Sequence, residues 1–169
     1  MAWTRRQVLF AGGAASTTGL SLAGCNGADM NRYHEATRAI RAALPTDPSL
    51  TDLVRFAALA PNSHNTQPWK FRLGIDSIDI LPDFSRRTPV ADPDDHHIYV
   101  TLGCAAENAV IAGNASGRPA EASVIVERAN GATVRVSLGH GAQADTELSN
   151  AITSRQSTRS DYDGRQISG

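Results

Sequence analysis

Apolar residues recur at helical spacing ahead of residue 61: Leu50, Leu53, Val54, Ala57 and Ala60 form one stripe behind Ser49, a good N-cap, which predicts a helix there. An earlier arginine-bearing helical stretch covers 32–44 and stops at Leu44-Pro45, because proline pushes the residue before it out of the helical basin. Beyond Pro68 the period changes to two. Residues 69–73 and 77–81 read as strands joined through Gly74-Ile75-Asp76, with Trp69 and Phe71 on one face and Lys70 and Arg72 on the other. Core packing is the default role of an indole placed like Trp69. A polar connection over 83–95, carrying Arg86 and Arg87, ends in Asp92-Pro93-Asp94-Asp95. There Asp92 can cap a helix, Pro93 suits its first position and the acids face its positive pole. That helix is predicted over about 94–115, with Ile98, Leu102, Ala105, Ala106, Ala109 and Ile111 as a small-residue face that a sheet or second subunit could approach closely. Alternating valines in 121–127 and 133–138 flank Asn130-Gly131, a hairpin pattern. A loop over 139–144 and a helix over 147–153 complete the chain's pattern.

Residues 60–71, APNSHNTQPWKF, break both periods. The run carries no charge until Lys70, holds the amides of Asn62, Asn65 and Gln67, and is bracketed by Pro61 and Pro68. The prolines fix their own φ and keep Ala60 and Gln67 out of the helical basin, so the segment is a shaped loop. Carboxamides carry a donor and an acceptor together, which suits the edge of a flat polar heterocycle. They suit equally well a helix-to-strand connection in which the amides satisfy their own backbone.

The run from Pro61 to Trp69 resembles the loop Pro-Ser-x-x-Asn-x-Gln-Pro-Trp of FMN-dependent nitroreductase-family proteins. Asn62 stands where that pattern usually has serine, while Ser63, Asn65, Gln67, Pro68 and Trp69 fit. The resemblance implies that Pro61, Asn62, Ser63 and Asn65 line a flavin ring, often across a dimer interface; His64 lies inside the same loop. A second stretch, 151–159, resembles the Arg-x-Ser-x-Arg/Lys segment with which the family holds the FMN phosphate, and gives that role to Arg155, Ser157 and Arg159. Guanidinium forks match phosphate oxygens and hydroxyls add donors beside them, although a solvated, arginine-rich helix end has the same composition. The implied fold is α+β and nitroreductase-like: a small, mostly antiparallel sheet with hairpins packed against helices, including a long central helix.

The order of the two stretches is informative. Single-domain members of the family carry the phosphate segment ahead of the amide loop, whereas here it follows, ten residues before the last residue. That arrangement resembles a branch in which two nitroreductase-like halves are fused into an internal pseudo-dimer. It implies a nitroreductase-like half domain over 49–154, the start of a truncated second half over 155–169, and a dimer or pseudo-dimer with the missing half.

Composition narrows the picture. A chain of 169 residues, 41% hydrophobic and 5% aromatic, can bury one modest core. A net charge of -1 with dispersed arginines, Lys70 being the only lysine, argues against a nucleic-acid partner. Residues 4–9, TRRQVL, resemble a twin-arginine export motif, and the Gly/Ala-rich apolar run 8–22 behind them is too short for an ordinary spanning helix. Leu22-Ala23-Gly24-Cys25 resembles a lipoprotein cleavage box, which makes 1–24 a signal peptide, Cys25 the lipidated first residue of the mature protein, and 25–48 a linker with a short helix. A plain small-residue cleavage site with an incidental cysteine is the other reading. Localisation is then the cell envelope, by a lipid anchor in the membrane or in the periplasm. With Cys25 lipidated, Cys104 has no disulfide partner, and its setting Leu-Gly-Cys-Ala-Ala suggests a small buried hydrophobe rather than a nucleophile. His96 and His97 are adjacent and diverge by about 100° on a helix, His34, His64 and His140 are scattered, and no metal site is predicted.

The family resemblance implies an FMN-dependent oxidoreductase that takes two electrons from a reductant as hydride and passes them to a small, flat nitro- or quinone-like acceptor. The protein's part is to position and tune the cofactor. No residue announces itself as acid, base or nucleophile. NAD(P)H, the family's usual donor, is not expected outside the cytoplasmic membrane. A non-catalytic exported flavin-binding or interaction lipoprotein, and an inactive truncated fragment, are therefore the alternatives.

Overall fold

A computed structural model describes residues 27–127, 131–142, 147–157, 161 and 164–165. The leader over 1–24, Cys25, Asn130 and Arg159 lie outside the described residues. The backbone divides into two compact units, Met1–Ala36 and Thr37–Gly169. Helix α1, Gly27–Ile40, begins in the first and ends in the second.

All other described elements belong to the second unit. In order they are α2 (Leu50–Ala57), β1 (Trp69–Leu73), β2 (Ser77–Pro82), α3 (His96–Ala115), β3 (Ala120–Glu127), β4 (Gly131–Leu138) and α4 (Glu147–Ser154). The four strands form one antiparallel sheet in the order β1-β2-β4-β3, so the fold is α+β with two hairpins and a long central helix, as expected. Leu53 and Phe56 of α2, Leu102, Ala105 and Ala109 of α3, and Ile78, Ile80 and Val136 of the sheet make one buried cluster, which Trp69 and Ile152 join. Each large aliphatic or aromatic side chain buried there contributes roughly 1.5–3 kcal/mol. The alanines of α3 bring its backbone close to both α2 and the sheet.

Local chemistry explains where the elements start and stop. Ser49 caps α2 through a capping box with Asp52: the hydroxyl accepts from the Asp52 amide, and the carboxylate accepts from the Ser49 amide at 3.0 Å. The helix ends at Ala57 rather than carrying on through Ala60. Leu59 and Ala60 donate to the carbonyls of Phe56 and Ala57, a tightened last turn that keeps Ala60 buried while the chain swings into the proline-bracketed loop. Helix α1 ends at Ile40, four residues short of the expected Leu44. The Arg55 guanidinium takes the carbonyls of Ile40, Ala42 and Ala43 at 3.0, 2.5 and 3.3 Å, satisfying groups left without helical partners at and just past the helix end.

Helix α3 begins at His96, two residues later than predicted, and Pro93 is not its first residue. Asp92 does cap it, from farther upstream: its carboxylate oxygens accept from the amides of His97 and Ile98 at 3.0 and 3.3 Å. The buried stripe of α3 runs through Ile98, Leu102, Ala105, Ala109 and Ala112. Ile111, placed on that face by the sequence pattern, is only half-buried, because two residues past Ala109 is about 200° around the helix.

Gly131 belongs to β4, where it pairs with Glu127, rather than sitting outside the strand as turn residue. Its φ of +75° is in the left-handed region, and a Cβ there would lie 2.6 Å from the Tyr99 hydroxyl. Gly131→Ala is therefore expected to cost about 1 kcal/mol through backbone strain, read as a lower denaturation midpoint; an unchanged midpoint would show that the position tolerates a side chain.

Candidate functional site

The amide loop has an unusual backbone. His64, Asn65 and Gln67 have φ of 51°, 56° and 49°, all in the left-handed region, which non-glycine residues occupy sparingly. Such conformations persist only where the surroundings over-determine them, and they concentrate at ligand-holding turns. Here the surroundings are visible. Asn62 staples the loop from within: its Oδ1 accepts from the Gln67 amide at 2.9 Å and its Nδ2 donates to the Ala60 carbonyl at 3.3 Å. The Thr66 hydroxyl donates to the Ser63 carbonyl at 3.0 Å, and Arg86 reaches back to the Thr66 carbonyl at 3.1 Å. Buried Asp83 receives the Ser85 hydroxyl and the Lys70 ammonium at 2.6 and 3.0 Å. The Ser85 hydrogen bond first, and Lys70 next, hold the Asp83 carboxyl below the usual carboxylate range.

The loop lies against the N-terminal half of α3. Pro61, Asn62 and Ser63 form one wall of an open hollow of about 350 Å³, and His97, Val100, Thr101 and Cys104 form the other. Those four helix residues fall at i, i+3, i+4 and i+7, one stripe of the helix. Asn65 closes the same short 3-10 turn, Ser63–Asn65, and is exposed. At the mouth, His97 Nδ1 lies 3.8 Å from an Asp92 oxygen. Burial opposes the charge on Asp92, yet the amides of His97 and Ile98 and the two neighbouring imidazoles outweigh it and keep that carboxyl below its ordinary range.

Arg155, distant in sequence, comes to the root of this loop. Its Nη2 donates to the Leu59 carbonyl at 3.0 Å, one residue before Ala60. Among the described residues its buried Nε has no hydrogen-bond partner, and no acidic side chain forms an ion pair with it. Ser157 follows on an exposed stretch, and Arg159 lies outside the described residues. So the structure brings Pro61, Asn62 and Ser63 together, keeps Asn65 on their turn, and sets Arg155 at the loop's base.

The donors suit the group that the sequence suggested. A guanidinium met, among the described residues, by the Leu59 carbonyl alone, with one N–H unsatisfied, is chemically matched to an anionic phosphate. A shallow hollow with a proline and two small polar residues on one side and Val100 and Cys104 on the other is matched to a flat ring with a polar edge.

His97, Val100, Thr101 and Cys104 were not foreseen as site residues. Their common stripe was readable, but nothing local says that the loop docks on it. Cys104 is half-buried and borders the hollow instead of lying wholly in the core. Among the described residues, no group of three or more His, Cys, Asp or Glu side chains is placed to hold a metal ion, and no helix is long and apolar enough to cross a membrane.

Fold and hollow together define an α+β chain with a candidate cofactor cleft between a strained amide loop and a central helix. Two proteins from two strains of Mycobacterium tuberculosis, each bearing the name "putative NAD(P)H nitroreductase", are 30% identical to the chain over 129 residues. The match takes in 73% of this chain and 37% of each relative, so the chain spans little more than a third of the length of the curated relatives it matches. This similarity supports the nitroreductase family. No protein-family profile matches the chain.

Proposed function

We propose that the chain is an FMN-binding, nitroreductase-type oxidoreductase unit. The observation that carries the reading is the arrival of Arg155 at the root of the strained loop, 3.0 Å from the Leu59 carbonyl, because it puts a candidate phosphate holder beside a candidate ring holder. In this reading Pro61, Asn62, Ser63 and Asn65 border the ring, and Arg155, Ser157 and Arg159 hold the phosphate. Bound FMN supplies two-electron redox chemistry between a reductant and a nitro- or quinone-like acceptor. The loop's part is to present its polar groups in a fixed frame, which is what the internal Asn62 hydrogen bonds and the Arg86 strut achieve.

The same proposal carries the twin-arginine leader, lipidation of Cys25 and an envelope location, and pairing with a second nitroreductase-like half. Val124 and Val126 of β3, 66% and 79% exposed, and Val100 of α3, 51% exposed, supply uncovered apolar surface for such pairing. The name that the two mycobacterial relatives bear points to NAD(P)H as donor, and export would require another reductant.

Purification of the full chain, followed by a visible absorption spectrum and titration with FMN, tests the reading. A yellow protein that releases FMN and reduces a nitroaromatic with NAD(P)H or dithionite is the expected result. A colourless chain that fails to bind FMN saturably overturns it, and flavin binding without turnover under either reductant would favour the non-catalytic binding role.

A further inference from the structure

Three arginines cap three helix ends in a closed cycle. Arg55, on α2, donates to the carbonyls of Ile40, Ala42 and Ala43 at the end of α1. Arg41, just past the end of α1, donates from Nη1 to the carbonyls of Thr153 and Arg155 at 2.7 and 2.9 Å, at the end of α4. Arg155, just past the end of α4, donates to the carbonyl of Leu59 just past the end of α2. Cations at helix C-termini are favoured because the last carbonyls lack intrahelical partners and the helix dipole is negative there. Each guanidinium here serves a helix other than its own, so none of the three ends can move without disturbing the next.

The cycle matters for the site because one of its members is the candidate phosphate holder. The backbone at Arg155 is fixed by Arg41, the backbone around Arg41 is fixed by Arg55, and the side chain of Arg155 is aimed at the root of the amide loop. The partners are carbonyls rather than carboxylates, apart from Asp52 at 3.9 Å from Arg55, so the cycle locates the Arg155 guanidinium without neutralising it. A positive group that is held in place but not paired is what an incoming phosphate requires.

We propose that Arg41, supported by Arg55, is a positioning residue for the phosphate end of the flavin site and acts through Arg155. The inference rests on the FMN reading above. The test titrates wild type, Arg41→Met, Arg155→Met and the double variant with FMN and with riboflavin, which lacks the phosphate, by quenching of flavin fluorescence. Arg41→Met is expected to weaken FMN about tenfold, the size of one charged hydrogen bond, and to leave riboflavin unchanged. The double variant should bind FMN no worse than Arg155→Met alone, the signature of Arg41 acting through Arg155.

Arg41→Lys keeps the charge and a donor while losing the fork, and should fall between wild type and Arg41→Met for FMN; it also serves as the readout should the methionine variant fail to fold. Equal losses for FMN and riboflavin, or an additive double variant, would overturn the positioning role while leaving the flavin reading intact. A wild type with no preference for FMN over riboflavin would overturn the underlying reading, and the positioning role with it.

Discussion

Replacing Phe56 by alanine is expected to destabilise the Thr37–Gly169 unit by about 3–5 kcal/mol, the range for emptying a buried aromatic site. Phe56 is 1% exposed and sits where α2, α3 and the sheet meet. Its own carbonyl is engaged twice, by the Leu59 amide at 3.1 Å and by Asn108 Nδ2 at 3.1 Å, so the backbone is poorly free to follow a shrinking side chain. Phe56 also lines a hollow of about 340 Å³ beside Leu44, Ala115, Ser149 and Thr153, a space the neighbours have not closed. A loss of that size is a large part of the stability of an ordinary domain. Urea unfolding should show a lower midpoint with an unchanged slope. Val124→Ala, on an exposed edge strand, should stay within about 0.5 kcal/mol of wild type. Similar losses for the two variants would mean that Phe56 is not the keystone of this core.

The contrast between those two positions also explains what was readable from the chain. Features governed by neighbours in sequence were legible. The alternation of Trp69 and Phe71 against Lys70 and Arg72 gave β1 its faces, Ser49 as a cap marked the start of α2, and the valine alternation marked the second hairpin. Features governed by a distant partner were not. Nothing near Ile40 announces that Arg55 will take its carbonyl, and although Asp92 was expected as a cap, the turn that separates it from the helix start was not. For the candidate site the same division holds. The loop could be picked out because its proline and amide pattern is local, whereas the α3 wall and the Arg155 contact with Leu59, 96 residues apart, depend on how the helices pack.

Asp79 is the second place where removing one group should be felt strongly. Ile78 and Ile80 turn into the core, so the period of a strand turns Asp79 to the opposite face of the sheet. On a small domain such a face ordinarily holds a solvated carboxylate. Asp79 is only 4% exposed, because Arg72 of β1 and Arg135 of β4, its register partners on either side, close over it. Arg135 donates Nε to Oδ1 at 2.6 Å and Nη2 to Oδ2 at 2.9 Å, and Arg72 donates to Oδ2 at 2.9 Å and 3.1 Å. One carboxylate thus fastens three strands in register, and the Arg135 hydrogen bond, outweighing burial and helped by Arg72, lowers its pKa from the ordinary 3.8 to about 2. A carboxyl whose pKa falls on folding adds stability that is complete above its unfolded pKa, near 4, and disappears as the pH falls through about 2. The full shift would correspond to roughly 2.5 kcal/mol. The arginines are 58% and 41% exposed and water screens them, so about 1–2 kcal/mol is the expected contribution. Asp79→Asn should therefore be less stable than wild type by about that amount at neutral pH, and the two unfolding curves should converge between about pH 4 and pH 2, where the wild-type carboxylate takes up its proton. A gap that persists undiminished at the acid end would mean that the side chain's shape, and not its charge, holds the strands together.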